Sequence, residues 1–351
     1  MERTLRKGLS GLVAFLVAVG GAAARAETLD QLYEKAKQEK TLLLYGAGPT
    51  APYERWTKEF TQRFPGIEVV VTGGFSNVLD TKINQQLKAR KMEVDIAFFQ
   101  TVQDFVAWKK AGALLPFKVD GYDKIAPQFR DKDGAFTTTS VNTISYIYNT
   151  KLVAPADVPK SALDFLKPQF RGKLVTAYPA DDDATLYAFD TIVQKYGWSY
   201  MDKYMAQKPN FIQGHLGETR SIVDGTNAVT FDGLSSSGGA LKAAGEPIDF
   251  AFSSVDPTPA FILTAGIFKG APHPNVAKLY LDWYMAKEQQ SRIGTFSARI
   301  DVPPPPGFKP LSAYNLANHY REFVTNEPRL IALRKRFEAY TGPVVNQGGV
   351  K

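Results

Sequence analysis

Short apolar runs alternate with amphipathic helical patterns along the first third of the chain, and this alternation limits the fold more than any other feature. Thr41-Leu42-Leu43-Leu44-Tyr45 is the length of a buried strand, and Gly46-Ala47-Gly48-Pro49 breaks it. A helical stretch follows with Tyr53, Trp56 and Phe60 on one face, ended by Pro65-Gly66. Ile67 to Val71 is a second strand, closed by Gly73-Gly74. Ser76 is placed to cap a helix through Leu79, Ile83 and Leu87. Val94 to Phe99 is a third strand, and Thr101 to Lys110 a helix carrying Phe105 and Trp108. Upstream, Thr28 and Gln31 form a capping box for a helix through Leu32 and Ala36. Strands alternating with helices mean βαβ crossovers and a parallel sheet. Ligands of such sheets sit beyond the carboxyl ends of the strands. The loops at residues 46–52, 73–76 and 99–101 should therefore share one rim.

A second α/β region begins after Phe136. Val141 to Tyr148, Lys173 to Tyr178, Ala228 to Phe231 and Phe261 to Phe268 are strand-like. Asp181-Asp182-Asp183 leads into a helix through Leu186, Phe189, Ile192 and Val193. Thr219 to Asp224 is helical, and Asn275 is expected to cap a helix with Val276, Leu279 and Trp283. Leu330, Leu333 and Phe337 mark a last helix.

The amino terminus addresses the compartment. Arg3, Arg6 and Lys7 precede an uncharged stretch from Leu9 to Ala24, and Ala24-Arg25-Ala26 puts small residues at −3 and −1. This is the pattern of a secretory signal peptide cut before Glu27. Cleavage leaves about 325 residues, enough for two domains. The chain has no Cys, so it has neither disulfides nor a lipidation site, and its core must hold it. The net charge of +7 owes part to Arg3, Arg6, Lys7 and Arg25 of the leader. The remaining Lys and Arg are scattered, which argues against a nucleic-acid partner.

Several phrases in order resemble the extracellular solute-binding proteins of ABC importers, in the branch often labelled ferric-iron-binding, which also holds thiamine, phosphonate and sugar-phosphate binders. They are Leu43-Leu44-Tyr45-Gly46; Phe60 to Val69 with its Pro65-Gly66-Ile67; Val94-Asp95-Ile96 with Ala111 to Phe117; Tyr148-Asn149-Thr150; and Ala277 to Gln290. The resemblance implies an α/β fold of the two-lobe periplasmic-binding type, each lobe a mainly parallel sheet flanked by helices, with the solute in the cleft. It implies that residues 27–136 and 258–302 form one lobe and 137–257 and 303–351 the other. It further implies a periplasmic monomer that delivers a small-molecule solute to a membrane permease, with no cofactor.

The iron label fails on residue chemistry. Ferric members of the family hold the metal with an imidazole, a carboxylate and two adjacent tyrosines, whose anionic oxygens suit a hard cation. By the shared strands these positions fall near Pro49, on Gln100 and near Leu234-Ser235, and no Tyr-Tyr pair occurs in the chain. No metal ligands are therefore assigned, although a ferric or other metal-ion binder remains the alternative. Phosphate-binding members use a helix start. Here that position carries Asp181, Asp182 and Asp183, with Asp232 across the lobe, and adjacent carboxylates repel an anion. One or two of these aspartates suit helix capping alone. The surplus favours an amine- or hydroxyl-bearing solute.

The expected ligand-binding residues are Ala47, Gly48, Pro49, Thr50, Gly74, Phe75, Ser76, Gln100, Thr101, Tyr178, Asp181, Asp182, Asp183, Asp232, Ser235 and Ser236. Aromatic rings at Tyr53, Phe75, Phe99 and Tyr178 are candidate stacking partners. A secreted hydrolase is the rival class. Only His215, His273 and His319 are available as bases, there is no Gly-x-Ser-x-Gly elbow, and no His-x-x-x-His spacing for zinc, so no catalytic residue is assigned.

Overall fold

The computed structural model describes residues 27–317 and 319–345. The leader and its cleavage site lie outside them. Thr28 and Gln31 form the expected capping box on α1 (Leu29–Glu39), whose Leu32 and Ala36 are buried. Then follow β1 (Thr41–Ala47), α2 (Ala51–Arg63), β2 (Glu68–Gly74), α3 (Ser76–Ala89), β3 (Ile96–Phe99) and α4 (Val102–Lys110). β1 pairs in parallel with both β2 and β3, as two βαβ crossovers require. β3 is buried along its whole length, which explains why it reads as an unbroken apolar run.

Next comes β4 (Thr137–Asn149), then β5 (Val175–Ala177), α5 (Asp183–Tyr196), α6 (Ser199–Ala206), β6 (Asn210–Ile212), α7 (His215–Val223), β7 (Val229–Leu234), α8 (Ser235–Ala243) and β8 (Ile248–Ala251). The chain returns through β9 (Thr258–Ile267), α9 (Pro274–Met285), α10 (Lys287–Gln290), β10 (Leu316–Ala317), α11 (Tyr320–Val324) and α12 (Glu327–Thr341). The main sheet runs β2-β1-β3-β9-β4-β7, with β8 on β4 and β10 on β9, and β5 pairs with β6 in a small sheet of its own.

The sheet is mixed. β9 runs antiparallel to β3 and to β4, and β4 runs antiparallel to β7 and β8. The helix-period pattern fixes the parallel crossovers but says nothing about long strands that pass between two halves of a molecule. β4 is such a strand. Its Thr137–Thr143 part lies against β9, and its Ile144–Asn149 part lies against β7 and β8.

Two aromatic clusters fill the core on either side of that strand. Trp56 and Phe60 of α2 meet Tyr280, Trp283 and Tyr284 of α9 edge to face. Phe189, Tyr204 and Phe231 form the second cluster, with Phe337 of α12 on Phe189. Such pairs add about 0.5–1.5 kcal/mol beyond their area burial.

Two expected caps differ. Asn275 does not cap α9; His273 stands at that position, and Glu39 at the end of α1 takes up the orphan amides instead. Glu39 accepts from the backbone of Asn275 at 2.8 Å, its side chain at 2.6 Å and the backbone of Val276 at 2.9 Å. A carboxylate there also suits the helix dipole. Ser76 is the first residue of α3, whose cap position is Phe75, so α3 starts without a side-chain cap.

Candidate functional site

A cavity of about 920 Å³ opens between the first turns of α3 and α4 on one side and the turn before α5, the Gln213-Gly214 loop and the C-terminal helices on the other. Phe75, Ser76 and Asp80 line it from α3. Gln100, Thr101, Gln103, Asp104 and, farther along, Lys110 line it from α4. Ala180, Asp181, Asp182, Asp183 and Gln213 face them, with Val324, Glu327, Leu330 and Arg334 closing one end. Six of these side chains are carboxylates and two are cations.

The carboxylates are not equivalent. Asp182 is the cap of α5, accepting the amides of Ala184 and Thr185 at 2.9 Å each, so those donors are closed to an anionic ligand. Asp183 is buried and pairs with the Arg334 guanidinium from α12. It also accepts from Gln103 Nε2 of α4 at 2.9 Å, across the cavity. Asp181 accepts from Gln213 Nε2 at 3.1 Å.

Asp104 behaves differently. Burial pushes its pKa up to about 7, and the charges of Asp80 and Asp183 add to the rise while the Thr101 hydroxyl opposes it. Asp104 Oδ2 and Gln103 Oε1 are buried and accept no hydrogen bond, the Thr101 hydroxyl being the nearest donor to Asp104. Buried acceptors left unpaired cost about 1–3 kcal/mol each, more when charged. The two stand side by side on the first turn of α4, in the cavity wall.

The structure brings Phe75, Ser76, Gln100, Thr101, Asp181, Asp182 and Asp183 together in this cavity and leaves the other expected residues out of its lining. Ala47, Gly48, Pro49 and Thr50 fold onto β2: Gly48 N donates to Gly74 O at 2.8 Å, and a Cβ at Gly73 would stand 2.7 Å from Gly48 O. Gly74 is held in that same contact. Tyr53 donates to Ala47 O from beneath β1, and Phe99 is core. Tyr178 is buried with its ring on Phe211. Ser235 is buried in a 2.7 Å hydrogen bond with Thr143, and Ser236 continues the first turn of α8.

Asp232 also departs from expectation. It is fully buried and takes the hydroxyls of Thr176, Thr185 and Thr230 and the amide of Ala177, so it faces the interior and not the cavity. Below the cavity floor it neighbours His215 and Glu218. His215 Nδ1 lies 3.1 Å from Glu218 Oε2, and Nε2 lies 3.4 Å from Asp182 Oδ1. Burial works against the imidazolium, but Asp182 and Glu218 outweigh it and hold the His215 pKa well above its ordinary value. Burial, helped by the charge of Asp232, pushes Glu218 up to about 7.

Sequence reasoning missed Asp80, Gln103, Asp104, Gln213, Glu327 and Arg334. A signal existed for the first three. Ser76 and Asp80 stand four residues apart and Thr101 and Asp104 three, so each pair shares one side of its helix start. Arg334 arrives from the far end of the chain, and no local pattern places it.

Comparison with known proteins gives this arrangement its context. Residues 55–315 match the family described as bacterial extracellular solute-binding protein. A probable ABC transporter periplasmic-binding protein of Sinorhizobium fredii is 23% identical over 226 residues, which span 60% of this chain and 61% of that relative. Among solved structures, iron-bound HitA from Pseudomonas aeruginosa superposes with a TM-score of 0.70 at 18% identity, over 85% of this chain and 99% of that one. AfuA from Actinobacillus pleuropneumoniae, with fructose-6-phosphate bound, gives 0.70 at 18% identity, over 86% and 98%. At this identity the structural likeness establishes the two-lobe α/β fold.

Proposed function

The chain belongs to the bacterial extracellular solute-binding protein family, and from that premise we propose that it is the periplasmic substrate-binding component of an ABC importer. It captures a small amine- or hydroxyl-bearing solute in the cavity and passes it to a membrane permease. It acts as a monomer and as a binder, not a catalyst, a reading supported by the binding-protein family it belongs to.

One observation carries the choice of solute: two buried acceptors of the cavity wall lack a hydrogen-bond partner. Gln103 Oε1 and Asp104 Oδ2 are unpartnered, Asp80 and Asp181 stand nearby, and Arg334 is already taken by Asp183. An ammonium or hydroxyl group supplies the missing donors through charge-assisted bonds. Phe75, Val324 and Leu330 give the solute's apolar body a surface. Iron is disfavoured by ligand chemistry, since Gln100 stands in the wall and the chain has no adjacent tyrosines.

The two lobes move about β4 and β9. The switch of β4 from β9 to β7 and β8 after Thr143 supports a hinge there, within one strand of the expected lobe boundaries.

A second reading has its own support. α3 and α4 start without side-chain caps, and free amides at a helix start attract anions. The carboxylates around them oppose it. Native mass spectrometry of freshly purified mature protein separates the two. A bound amine or polyol is expected. A bound phosphorylated sugar would support the second reading, and bound iron would contradict both.

A further inference from the structure

Beneath the cavity floor lies a second constellation that solute capture does not use. One nitrogen of His215 and one carboxylate oxygen each of Glu218 and Asp232 lie within 4.8 Å of one another. His215 and Glu218 come from consecutive turns of α7, three residues apart on one helical face. Asp232 comes from β7, which packs against that helix. Glu218 and Asp232 are both fully buried.

We propose that His215, Glu218 and Asp232 form a binding site for a divalent transition-metal ion, separate from the solute cavity. An imidazole with two carboxylates is a donor set that suits zinc or a neighbouring first-row ion, and it matches neither calcium nor magnesium, which take oxygen alone.

Three observations support this beyond the clustering of charge. First, Glu218 Oε1 is buried and has no hydrogen-bond partner. A buried carboxylate with an unused oxygen is costly unless a cation or proton meets it. Second, the ring is oriented as a ligand. Nδ1 faces Glu218 at 3.1 Å, and Nε2 faces the Asp182 carboxylate at 3.4 Å. Metal-bound histidines direct their second nitrogen to a carboxylate in this way. Third, Asp232 is fixed by three threonine hydroxyls and one backbone amide, so its position is set before any ion arrives, and one hydroxyl turns away to free a lone pair for the ion.

Zinc sits about 2.0–2.2 Å from nitrogen and carboxylate ligands, so the three donors close by about an ångström around it. A rotation of the Glu218 side chain, whose Oε1 is free, accomplishes that. The site adjoins the solute cavity, because Asp182, which the His215 ring faces, is part of the cavity lining. It also anchors α7 to β7 under the face that carries Asp181 to Asp183.

The test uses the chelator-treated mature protein, titrated with zinc and cobalt salts by calorimetry and by melting. Binding of one ion per chain with a rise in melting temperature is expected, together with visible d–d bands for cobalt. Glu218→Gln, close in shape to the parent, should lose at least a hundredfold in zinc affinity and remain folded without metal. Asp182→Asn keeps a good helix cap and should weaken zinc binding about ten- to a hundredfold. Asp104→Asn, in the solute cavity, should leave zinc affinity unchanged. The proposal is overturned if the parent takes up no ion at millimolar metal, if Glu218→Gln binds like the parent, or if Asp104→Asn is the variant that abolishes binding.

Discussion

Gln103 donates to Asp183 across 2.9 Å, joining the first turn of α4 to the first turn of α5 over the mouth of the cavity. Asp183 keeps its Arg334 partner without Gln103, so the tie adds to closure and not to the integrity of either helix. Gln103→Ala should fold normally. Its solute affinity should fall by up to about tenfold, the worth of one hydrogen bond to a charged acceptor. Small-angle scattering should show a more open solute-free state than the parent. An unchanged affinity and an unchanged solute-free shape would remove the tie from the account.

Asp104 gives the pH dependence. Its folded pKa, about 7, lies above the ordinary carboxylate value, chiefly through burial. The solute-free protein therefore holds a proton there that the unfolded chain has released, and this contribution to stability is lost as pH rises through about 7. Binding of a cationic solute needs the ionised form, against the like charges of Asp80 and Asp183, with Lys110 and the Asp183-bound Arg334 also in the wall. Affinity should rise between about pH 6 and 8, by no more than tenfold per unit. Asp104→Asn should flatten both curves, which titration calorimetry and melting across that range measure.

The aspartates of the second lobe should separate by role. Asp182→Ala loses a cap and should cost about 1 kcal/mol. Asp232→Ala strands three hydroxyls and an amide in the interior and should cost about 3 kcal/mol or more. Asp181→Ala should leave the melting temperature nearly unchanged and weaken solute binding. Denaturant unfolding beside calorimetry on each variant distinguishes these outcomes. A stable Asp232→Ala protein would contradict the assignment of Asp232 to the interior.

Glu39 should act on stability alone. It takes the first amides of α9 from a position far in sequence. Glu39→Ala should lower stability by about 1–2 kcal/mol and leave solute affinity intact, since α9 is remote from the cavity. A loss of affinity at unchanged stability would show that α9 bears on the site.

The early crossovers were legible because each element announces itself locally. Thr28 and Gln31 cap, Pro65-Gly66 stops, and the apolar run into Phe99 is a buried strand. The mixed sheet was not legible, because pairing of β4 with β9 depends on residues more than a hundred positions apart. The same separation hid Glu39 as the partner of α9 and Arg334 as the partner of Asp183. The loops after β2 and β3 were expected at a ligand cleft because ligands sit beyond strand ends, and both contribute to the cavity lining. The loop after β1 has the same local grammar, yet two glycines let it fold down on β2. Asp104 was missed because attention to loops stops one turn short of where α4 enters the wall.

The central claim is that an amine- or hydroxyl-bearing solute meets the unpartnered acceptors of α4, an amine most directly. The most direct measurement is calorimetric titration of the mature protein and of Asp104→Asn with small amines and diamines, with matched polyols and sugar phosphates alongside. Charge-assisted bonds are worth about 1.5–3 kcal/mol each, so the account predicts binding of one amine per chain, weakened about ten- to a hundredfold in Asp104→Asn. Tight binding of a sugar phosphate with no response to any amine, or an Asp104→Asn protein that binds its amine as the parent does, would contradict it.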